Sequence, residues 1–248
     1  MNRTYKTALV VGGSRGMGRE LALSLSAQST KTHVMARSET DLKDLKERAP
    51  GIQTIAMDAS NKGVADELIA ELRPDLLIIS AGATPKMAPF QSQSWEQFSV
   101  AWNTDMRIAH GFMSAALNRP MPRRGTIVSF SSGAGLSGSR LSGGYAGAKR
   151  MQHFLAEYAQ READDLGLDL RFLSIIPKQL VQGTEKGVEA ATAYAAAVGK
   201  PLDQFWGQWK NALSAEDVAS HVLKLLAKPD PLPGGSYTVT GQGIAEFN

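Results

Sequence analysis

Three side chains in the middle of the chain could act together in proton transfer. Tyr145 and Lys149 lie four residues apart, which on a helix places them on one face about one turn apart. Ser132 follows the apolar run 126–130, so a strand could deliver its hydroxyl to the same place. An ammonium group near a phenol favours the phenolate, and a serine can donate to an oxygen on which charge develops. The set predicts proton exchange with an alcohol or a carbonyl, although Tyr-x-x-x-Lys also occurs on ordinary helices.

A glycine-rich segment near the start of the chain must lie beside this site if the chemistry uses a cofactor. The apolar run Thr7–Val11 leads into the glycines of 12–18, and a helical pattern with Leu21 and Leu25 on one face follows. A glycine turn between a strand and a helix lets the backbone N–H groups approach a pyrophosphate. The spacing is Gly-x-x-x-Gly-x-Gly. The segment predicts dinucleotide binding, and the alternative is a turn that only packs the helix on the strand.

Two arginines indicate which dinucleotide is preferred. A second strand is predicted at 32–36, and Arg37 and Ser38 follow it where an acidic residue would bind a ribose 2′-hydroxyl. Arg15 lies within the glycine segment. Two guanidinium groups suit a 2′-phosphate, which favours NADP(H) over NAD(H). Either arginine could instead be a solvated surface charge, and Glu39 could neutralise one of them.

Short apolar runs alternate with helical patterns along the chain. The predicted strands are 7–11, 32–36, 52–57, 75–79, 126–130, 168–176 and 236–240. This alternation predicts an α/β fold: a Rossmann-like, doubly wound parallel β-sheet of about seven strands flanked by helices. Because no linker or composition shift divides the sequence, we expect residues 1–248 to form a single NAD(P)-binding domain. Within it, the segment at about 180–213 is interpreted as a substrate loop.

Composition and charge exclude several classes of function. The 248 residues include no cysteine, which excludes disulfides, thiolate catalysis and cysteine-ligated metal, and we predict no metal site. The net charge is +3 with dispersed basic residues, which argues against nucleic-acid binding. No run is apolar enough to cross a bilayer, and residues 1–6 lead directly into a strand. We therefore expect a cytoplasmic protein with no signal peptide, no membrane association and a small-molecule ligand.

Taken together, these segments resemble the short-chain dehydrogenase/reductase family over essentially the whole chain. The resemblance is carried by the glycine segment, the strand end Ser80-Ala-Gly82, Asn103, Ser132 and the pair Tyr145 and Lys149, in that order. Each motif alone is weak, but their order and spacing together are specific.

The resemblance implies roles for the site residues. Tyr145 is expected to be the general acid/base, and Lys149 to bind the nicotinamide ribose and favour the phenolate. Ser132 is expected to orient the substrate oxygen, and Asn103 to hold a water in a proton relay to Lys149. The family also implies a homo-oligomer, either a dimer or a tetramer. The implied cofactor contacts are Gly12, Ser14, Arg15, Gly16, Met17, Gly18, Arg37, Ser38, Asp58, Ala59, Ser80, Ala81, Gly82, Tyr145, Lys149 and Pro177.

The chain departs from the family pattern near the nicotinamide. Lys178 replaces the glycine that usually follows Pro177, Gln182 stands where a threonine is usual, and Thr184 comes two residues later. These changes leave the substrate open. Residues that could border a mainly apolar substrate pocket are Met87, Phe90, Leu136, Gln179, Leu180, Trp206 and Trp209.

We therefore predict an NADPH-dependent reductase of a ketone or aldehyde, which would also oxidise the corresponding secondary alcohol. The alternative is a non-catalytic NADP(H)-binding regulator or scaffold on the same fold, which would not need the phenol of Tyr145. An epimerase or dehydratase on this fold would predict a longer C-terminal substrate domain.

Overall fold

The computed structural model describes residues 3–119, 121–229 and 232–247, so both ends of the predicted domain 1–248 lie outside the described residues. The main sheet contains β1 (Thr7–Val11), β2 (Lys31–Ala36), β3 (Gln53–Ala56), β4 (Leu76–Ile79), β5 (Gly125–Phe130), β6 (Leu170–Pro177), β9 (Ser236–Thr240) and β10 (Gly243–Phe247). A separate pair of short strands joins β7 (Val181–Gln182) to β8 (Leu213–Ser214).

The helices fall between these strands, as the alternating pattern predicts. They are α1 (Gly16–Ala27), α2 (Glu39–Arg48), α3 (Val64–Leu72), α4 (Trp95–Ala101), α5 (Arg107–Asn118), α6 (Ala134–Ser137), α7 (Gly144–Asp165), α8 (Glu185–Ala197), α9 (Leu202–Trp206) and α10 (Ala215–Leu226). Among the helices of the described residues, none has the length and the apolar character needed to span a bilayer.

The order of the strands creates a switch point in the middle of the sheet. The order is β3-β2-β1-β4-β5-β6-β9-β10, and every neighbouring pair is parallel except the last, in which β10 runs antiparallel to β9. The chain winds outward from β1 in one direction and from β4 in the other. In such sheets, ligands bind beyond the carboxyl ends of the strands at the point of reversal.

The predicted doubly wound sheet is confirmed, with one strand more than the seven expected. The added strand, β10, forms a hairpin with β9 after Thr240. Its residues are partly exposed rather than uniformly apolar, so the chain shows no buried run that would indicate a strand there.

Alternating side chains of the strands fill two cores, one on each face of the sheet. In β1, Ala8 and Val10 point toward α1, α2 and α10, whereas Leu9 and Val11 point toward α3, α5 and α7. Successive residues of a strand face opposite sides, so a strand covered by helices on both sides must be apolar throughout. The parallel strands between the two cores have their carboxyl ends on one side of the sheet, where the loops to the following helices begin.

A π turn separates α4 from α5. The N-cap of α4 is Ser94, whose side chain forms a capping box with Gln97. The turn Trp102–Met106 then widens the helix before it continues as α5. Such wide turns are rare and frequently occur at functional sites. Here the turn determines which of its residues faces the interior.

Candidate active site

A cavity of about 1190 Å³ opens at the carboxyl ends of the parallel strands. Its walls are the glycine turn before α1, the loops after β2, β4 and β5, the start of α7, and parts of the segment 177–209. Of the residues predicted to contact the cofactor, all except Gly18 line it, and Ser132 lines it as well. The predicted catalytic and cofactor residues therefore share one cavity, apart from Gly18 and Asn103.

The glycine turn brings the ends of β1 and β4 into contact. Gly12 has a φ of 82°, and a side chain there would clash with the backbone of Ala81. The N–H of Ala81 in turn donates to the carbonyl of Val11 at 2.9 Å. Gly18 lies against the carbonyl of Gly12 and is not part of the cavity wall. The structure therefore does not support the predicted contact of Gly18 with the cofactor. The small size of Gly18 lets α1 pack on the turn.

The start of α1 suits a pyrophosphate. The helix has 12 residues with no acidic residue in its first turn, and within the described residues no side chain caps it. Its first N–H groups are therefore available to an anion, and the helix dipole favours negative charge there. Together with the close approach that Gly12 permits, this donor set fits a dinucleotide.

Both predicted phosphate-binding arginines lie at the rim of the cavity with acidic neighbours. Arg37 lies 3.9 Å from Asp58, and Arg15 lies 2.6 Å from Glu185 and 4.0 Å from Asp41. The two guanidinium groups are mostly exposed, with side-chain exposures of 62% for Arg15 and 68% for Arg37. Exposed pairs of this kind are weak, so a 2′-phosphate could compete for either arginine.

The loop beyond the arginines is held by local hydrogen bonds. The N–H and hydroxyl of Ser60 donate to Oδ1 of Asp58 at 2.8 and 2.7 Å, and these bonds lower the pKa of that carboxyl. Ser38 accepts a hydrogen bond from the N–H of Asp41 and caps α2. Hydrogen bonds within the protein therefore order this part of the cavity wall, where an adenosine group would fit.

Tyr145 and Ser132 reach the cavity from adjacent elements. Tyr145 is the second residue of α7, where the helix dipole favours negative charge on its oxygen. The hydroxyl of Ser131 donates to the carbonyl of Lys149 at 2.7 Å and joins the end of β5 to α7. Ser132 Oγ accepts from the N–H of Ala134 at 3.2 Å, which leaves its own O–H free to donate into the cavity.

Lys149 is buried, and neighbouring groups engage its ammonium group. Nζ donates to the carbonyl of Phe130 at 3.1 Å and to Oε1 of Gln152 at 2.7 Å, and it lies 3.0 Å from Oδ2 of Asp105. Burial acts to lower the pKa of Lys149, but the charges of Asp105 and Tyr145 outweigh it and raise the pKa. Lys149 therefore stays protonated, with Nζ 5.5 Å from the ring centre of Tyr145.

Asp105 is a site residue that the sequence reasoning missed. Its carboxylate is fully buried, accepts the N–H of Ala83 at 2.7 Å through Oδ1, and packs against Gly82, where a side chain would clash. It therefore connects the π turn, the loop after β4 and α7. Helical spacing could have revealed it, because Ala101, Asp105 and Ile108 follow one another at three- and four-residue intervals on the buried face.

The structure does not place Asn103 in the cavity, where the resemblance implies a catalytic residue. The residue is exposed, it donates from Nδ2 to Ser99 Oγ at 3.1 Å, and it is not part of the cavity wall. It points away from Lys149 because it lies two residues before the buried position of the same turn. A relay through Asn103 to Lys149 is therefore not supported, and Asp105 occupies the place beside the ammonium group.

A family model describing the short chain dehydrogenases matches residues 6–197 of this sequence. The chain belongs to the short-chain dehydrogenase family. The NADPH carbonyl reductase 2 of Sus scrofa is 23% identical to this short-chain dehydrogenase over 246 residues, which cover 98% of each chain. The L-xylulose reductase of Mesocricetus auratus is 28% identical over 102 residues, 41% of this chain and 42% of that protein. The L-xylulose reductase of Mus musculus is matched over 54% of its length, so the chain spans about half the length of these two L-xylulose reductases.

Two solved structures share the fold of this short-chain dehydrogenase. The crystal structure of levodione reductase superposes with a TM-score of 0.80 at 20% identity, covering 96% of this chain and 98% of that one. The structure of ElxO with NADP bound superposes with a TM-score of 0.78 at 21% identity and the same coverage. At these identities the likeness establishes the arrangement of the sheet and helices.

The remaining wall of the cavity is only partly the one predicted. Met87, Gln179, Leu180 and Trp209 line the cavity of this short-chain dehydrogenase, whereas Phe90, Leu136 and Trp206 do not. The ring of Phe90 lies on the surface against that of Phe98, with 5.9 Å between ring centres. Wall residues that the sequence reasoning did not propose include Lys186, Tyr194 and Phe205.

Thr184 caps α8. Its hydroxyl donates to the carbonyl of Val181 at 2.7 Å and accepts the N–H of Gly187 at 3.1 Å. Gln182, at the position usual for a threonine, does not line the cavity, whereas Lys178 does. The departures noted in the sequence therefore reshape the wall on the nicotinamide side.

Proposed function

We propose that this short-chain dehydrogenase reduces a ketone or aldehyde with NADPH and oxidises the corresponding alcohol in the reverse direction. The observation that carries the proposal is Tyr145 in the first turn of α7, close to the protonated Lys149 and in one cavity with the glycine turn. The bound dinucleotide supplies or accepts the hydride. The side chains of the protein hold the reactants and move the proton.

In the reducing direction, the hydroxyl of Tyr145 gives its proton to the substrate oxygen as negative charge develops there. The positive end of α7 and the ammonium group of Lys149 stabilise the phenolate that remains. Ser132 donates a hydrogen bond to the same oxygen and fixes the orientation of the substrate. In the oxidising direction, the phenolate takes the proton from the alcohol.

The preference for NADPH over NADH belongs to the same proposal. Arg15 and Arg37 stand at the rim beyond β1 and β2, on the side where the adenosine ribose would lie. Relatives whose names or titles mention NADPH or NADP support this choice. The 2′-phosphate would replace or share the weak contacts of the arginines with Glu185, Asp41 and Asp58.

A homo-oligomer is also proposed. Phe154 and Tyr158 stack with 6.0 Å between ring centres on the outer side of α7 and are nearly half exposed. Two adjacent exposed aromatic rings on one helix are typical of a contact surface. A second copy of this chain would cover them.

The test is a comparison of wild type with Tyr145→Phe on a panel of carbonyl compounds, followed by the loss of NADPH absorbance. We expect wild type to oxidise NADPH with some member of the panel and the variant to lose at least about 100-fold in rate, because the general acid is gone. The affinity of both proteins for NADPH should be similar. Tyr158→Phe is the matched control, since it removes an exposed phenol from the same helix.

A non-catalytic NADP(H)-binding regulator or scaffold is the competing function. It gains some support from the pairing of Lys149 with Asp105, which offsets the positive charge beside the phenol. Tight binding of NADPH without hydride transfer to any carbonyl in the panel would favour it over the reductase.

A further inference from the structure

Lys186 contributes to the cavity wall from α8, an element distinct from the one that carries Lys149. Lys186 is the second residue of α8 and lines the cavity. In the described part of the chain, no hydrogen bond or ion pair engages its ammonium group. Burial is the main reason that the pKa of Lys186 is lowered to about 8, and the charges of Lys149 and Arg15 act in the same direction. A cation in such a place is costly unless an anion joins it.

The neighbours of Lys186 show where along the cavity its ammonium group lies. Asp105 and Lys149 influence it from the end near Tyr145, and Arg15 and Glu185 influence it from the glycine turn. The ammonium group of Lys186 is therefore within electrostatic reach of both the reaction centre and the start of α1, and the groups near Tyr145 act on it more strongly.

The start of α8 also contacts the glycine turn directly. Glu185 pairs with Arg15 at 2.6 Å. A side chain on Gly16 would come within 3.3 Å of the methyl group of Thr184. The helix that carries Lys186 thus covers the helix start that suits a pyrophosphate.

Lys149, which also lines the cavity, is engaged within the protein. Its Nζ donates to Phe130 and Gln152 and lies 3.0 Å from Oδ2 of Asp105. Lys186 has no comparable set of acceptors in the residues that the structure describes.

We propose that Lys186 binds the pyrophosphate of the dinucleotide from the side opposite α1, so that α8 closes over the bound cofactor. The inference rests on the proposed function, because that function makes a dinucleotide the ligand. Two other anions could reach the cavity, the 2′-phosphate of NADPH and an acidic group on the substrate. The pyrophosphate differs from both, since NADH and NADPH carry it equally.

The experiment is a fluorescence titration of NADPH and of NADH into the full chain without any carbonyl substrate. Lys186→Met should weaken both dinucleotides by a similar factor of about 10 to 100, the usual effect of losing a charged hydrogen bond. Lys186→Arg should restore most of the affinity. Lys200→Met is the matched control, because Lys200 is exposed just beyond α8. Arg37→Asp is the reference for the 2′-phosphate and should weaken NADPH far more than NADH.

The titration has a pH signature. Lys186 must be protonated to hold an anion, so the affinity of wild type should fall as pH rises past about 8. Lys186→Met should lack this decline. Without ligand, the variant should melt no earlier than wild type, because it removes a half-buried charge that has no partner in the described residues.

Three results would overturn the assignment. Equal dinucleotide affinities for wild type and Lys186→Met would exclude a contact of Lys186 with the cofactor. If Lys186→Met instead raised only the KM for the carbonyl, Lys186 would contact the substrate. If Lys186→Met weakened the binding of NADPH but not that of NADH, Lys186 would contact the 2′-phosphate. If wild type bound neither dinucleotide, the proposed function would fail as well, whereas the first three results would leave that function intact.

Discussion

Asp105 sets the charge balance at the reaction centre. A protonated lysine near Tyr145 favours the phenolate, but the carboxylate of Asp105 lies 3.0 Å from Nζ of the same lysine and opposes this effect. The pair is buried, so the two charges interact in a medium that screens them little. Asp105 is therefore a positioning residue that both holds Lys149 and moderates its influence.

Asp105→Asn tests this balance. The amide keeps the size of the side chain but removes the negative charge, so Lys149 should favour the phenolate more strongly. We expect the rising limb of kcat/KM against pH, measured for alcohol oxidation, to move to lower pH. The free energy of unfolding should fall as well, because a buried charge loses its partner.

A purely structural Asp105 would give a different result. The variant would then lose stability, but the surviving activity would keep the pH profile of wild type. A limb that stayed in place, or that moved to higher pH, would contradict the electrostatic role.

Single residues could be predicted where local spacing determines their position. Tyr145 and Lys149 share a face of α7 because they lie one turn apart, and that much follows from the sequence. Asn103 was chosen because the resemblance implies an asparagine in this part of the chain, although the buried face of its helix passes through Asp105. Lys186 could not be found from local spacing, because it reaches the cavity from α8, far along the chain.

At the scale of elements, the segment 180–213 forms one wall of the cavity through weak local structure. β7 and β8 contribute two residues each, and α8 is rich in alanine with a partly exposed outer side. The hydrogen bonds that cap α8 therefore contribute much of the local stability of this wall. The hydroxyl of Thr184 makes both of its hydrogen bonds within three residues of itself.

Thr184→Ala should loosen this wall. Losing an N-cap costs about 1 kcal/mol, which corresponds to roughly five-fold more opening. We expect the amides of α8 to exchange with solvent about five-fold faster in the ligand-free protein, measured by hydrogen exchange with mass spectrometry. Thr192→Ala is the control, because Thr192 is exposed in the middle of α8 and bonds only to the carbonyl of Val188. Equal exchange in the two variants would show that the cap does not order the wall.

Elements defined by near neighbours were predicted well. The buried strands follow from apolar runs of residues adjacent in the sequence. The π turn was not predicted, since its widening depends on where Asp105 and Met106 pack. The pair of β7 and β8 joins residues more than thirty positions apart, and a two-residue strand carries no periodic pattern.

At the scale of the whole molecule, the doubly wound sheet gathers distant residues at one edge. The glycine turn, the end of β4, the end of β5 and the start of α7 meet there because parallel strands end on the same side. This topology followed from the alternation of strands and helices. The antiparallel β10 did not, because its backbone pairing with β9 is not accompanied by an apolar run.

The exposed aromatic pair on α7 makes a prediction for the assembled molecule. Phe154→Glu should place a charge in the surface between two copies, so size-exclusion chromatography with light scattering should show a smaller species than wild type. Leu232→Glu is the control, because it places the same charge on a half-exposed apolar residue away from α7. An unchanged mass for Phe154→Glu would place any contact between copies on another face.

The most direct test of the account is the hydride transfer itself. Wild type and Tyr145→Phe are each loaded with NADPH, mixed with the carbonyl panel, and followed by the NADPH signal through a single turnover. The account predicts that both bind NADPH, that wild type oxidises it with at least one carbonyl, and that the variant is slower by about 100-fold or more. The account would be contradicted if Tyr145→Phe oxidised NADPH at the wild-type rate, or if no carbonyl in the panel oxidised the NADPH bound to wild type.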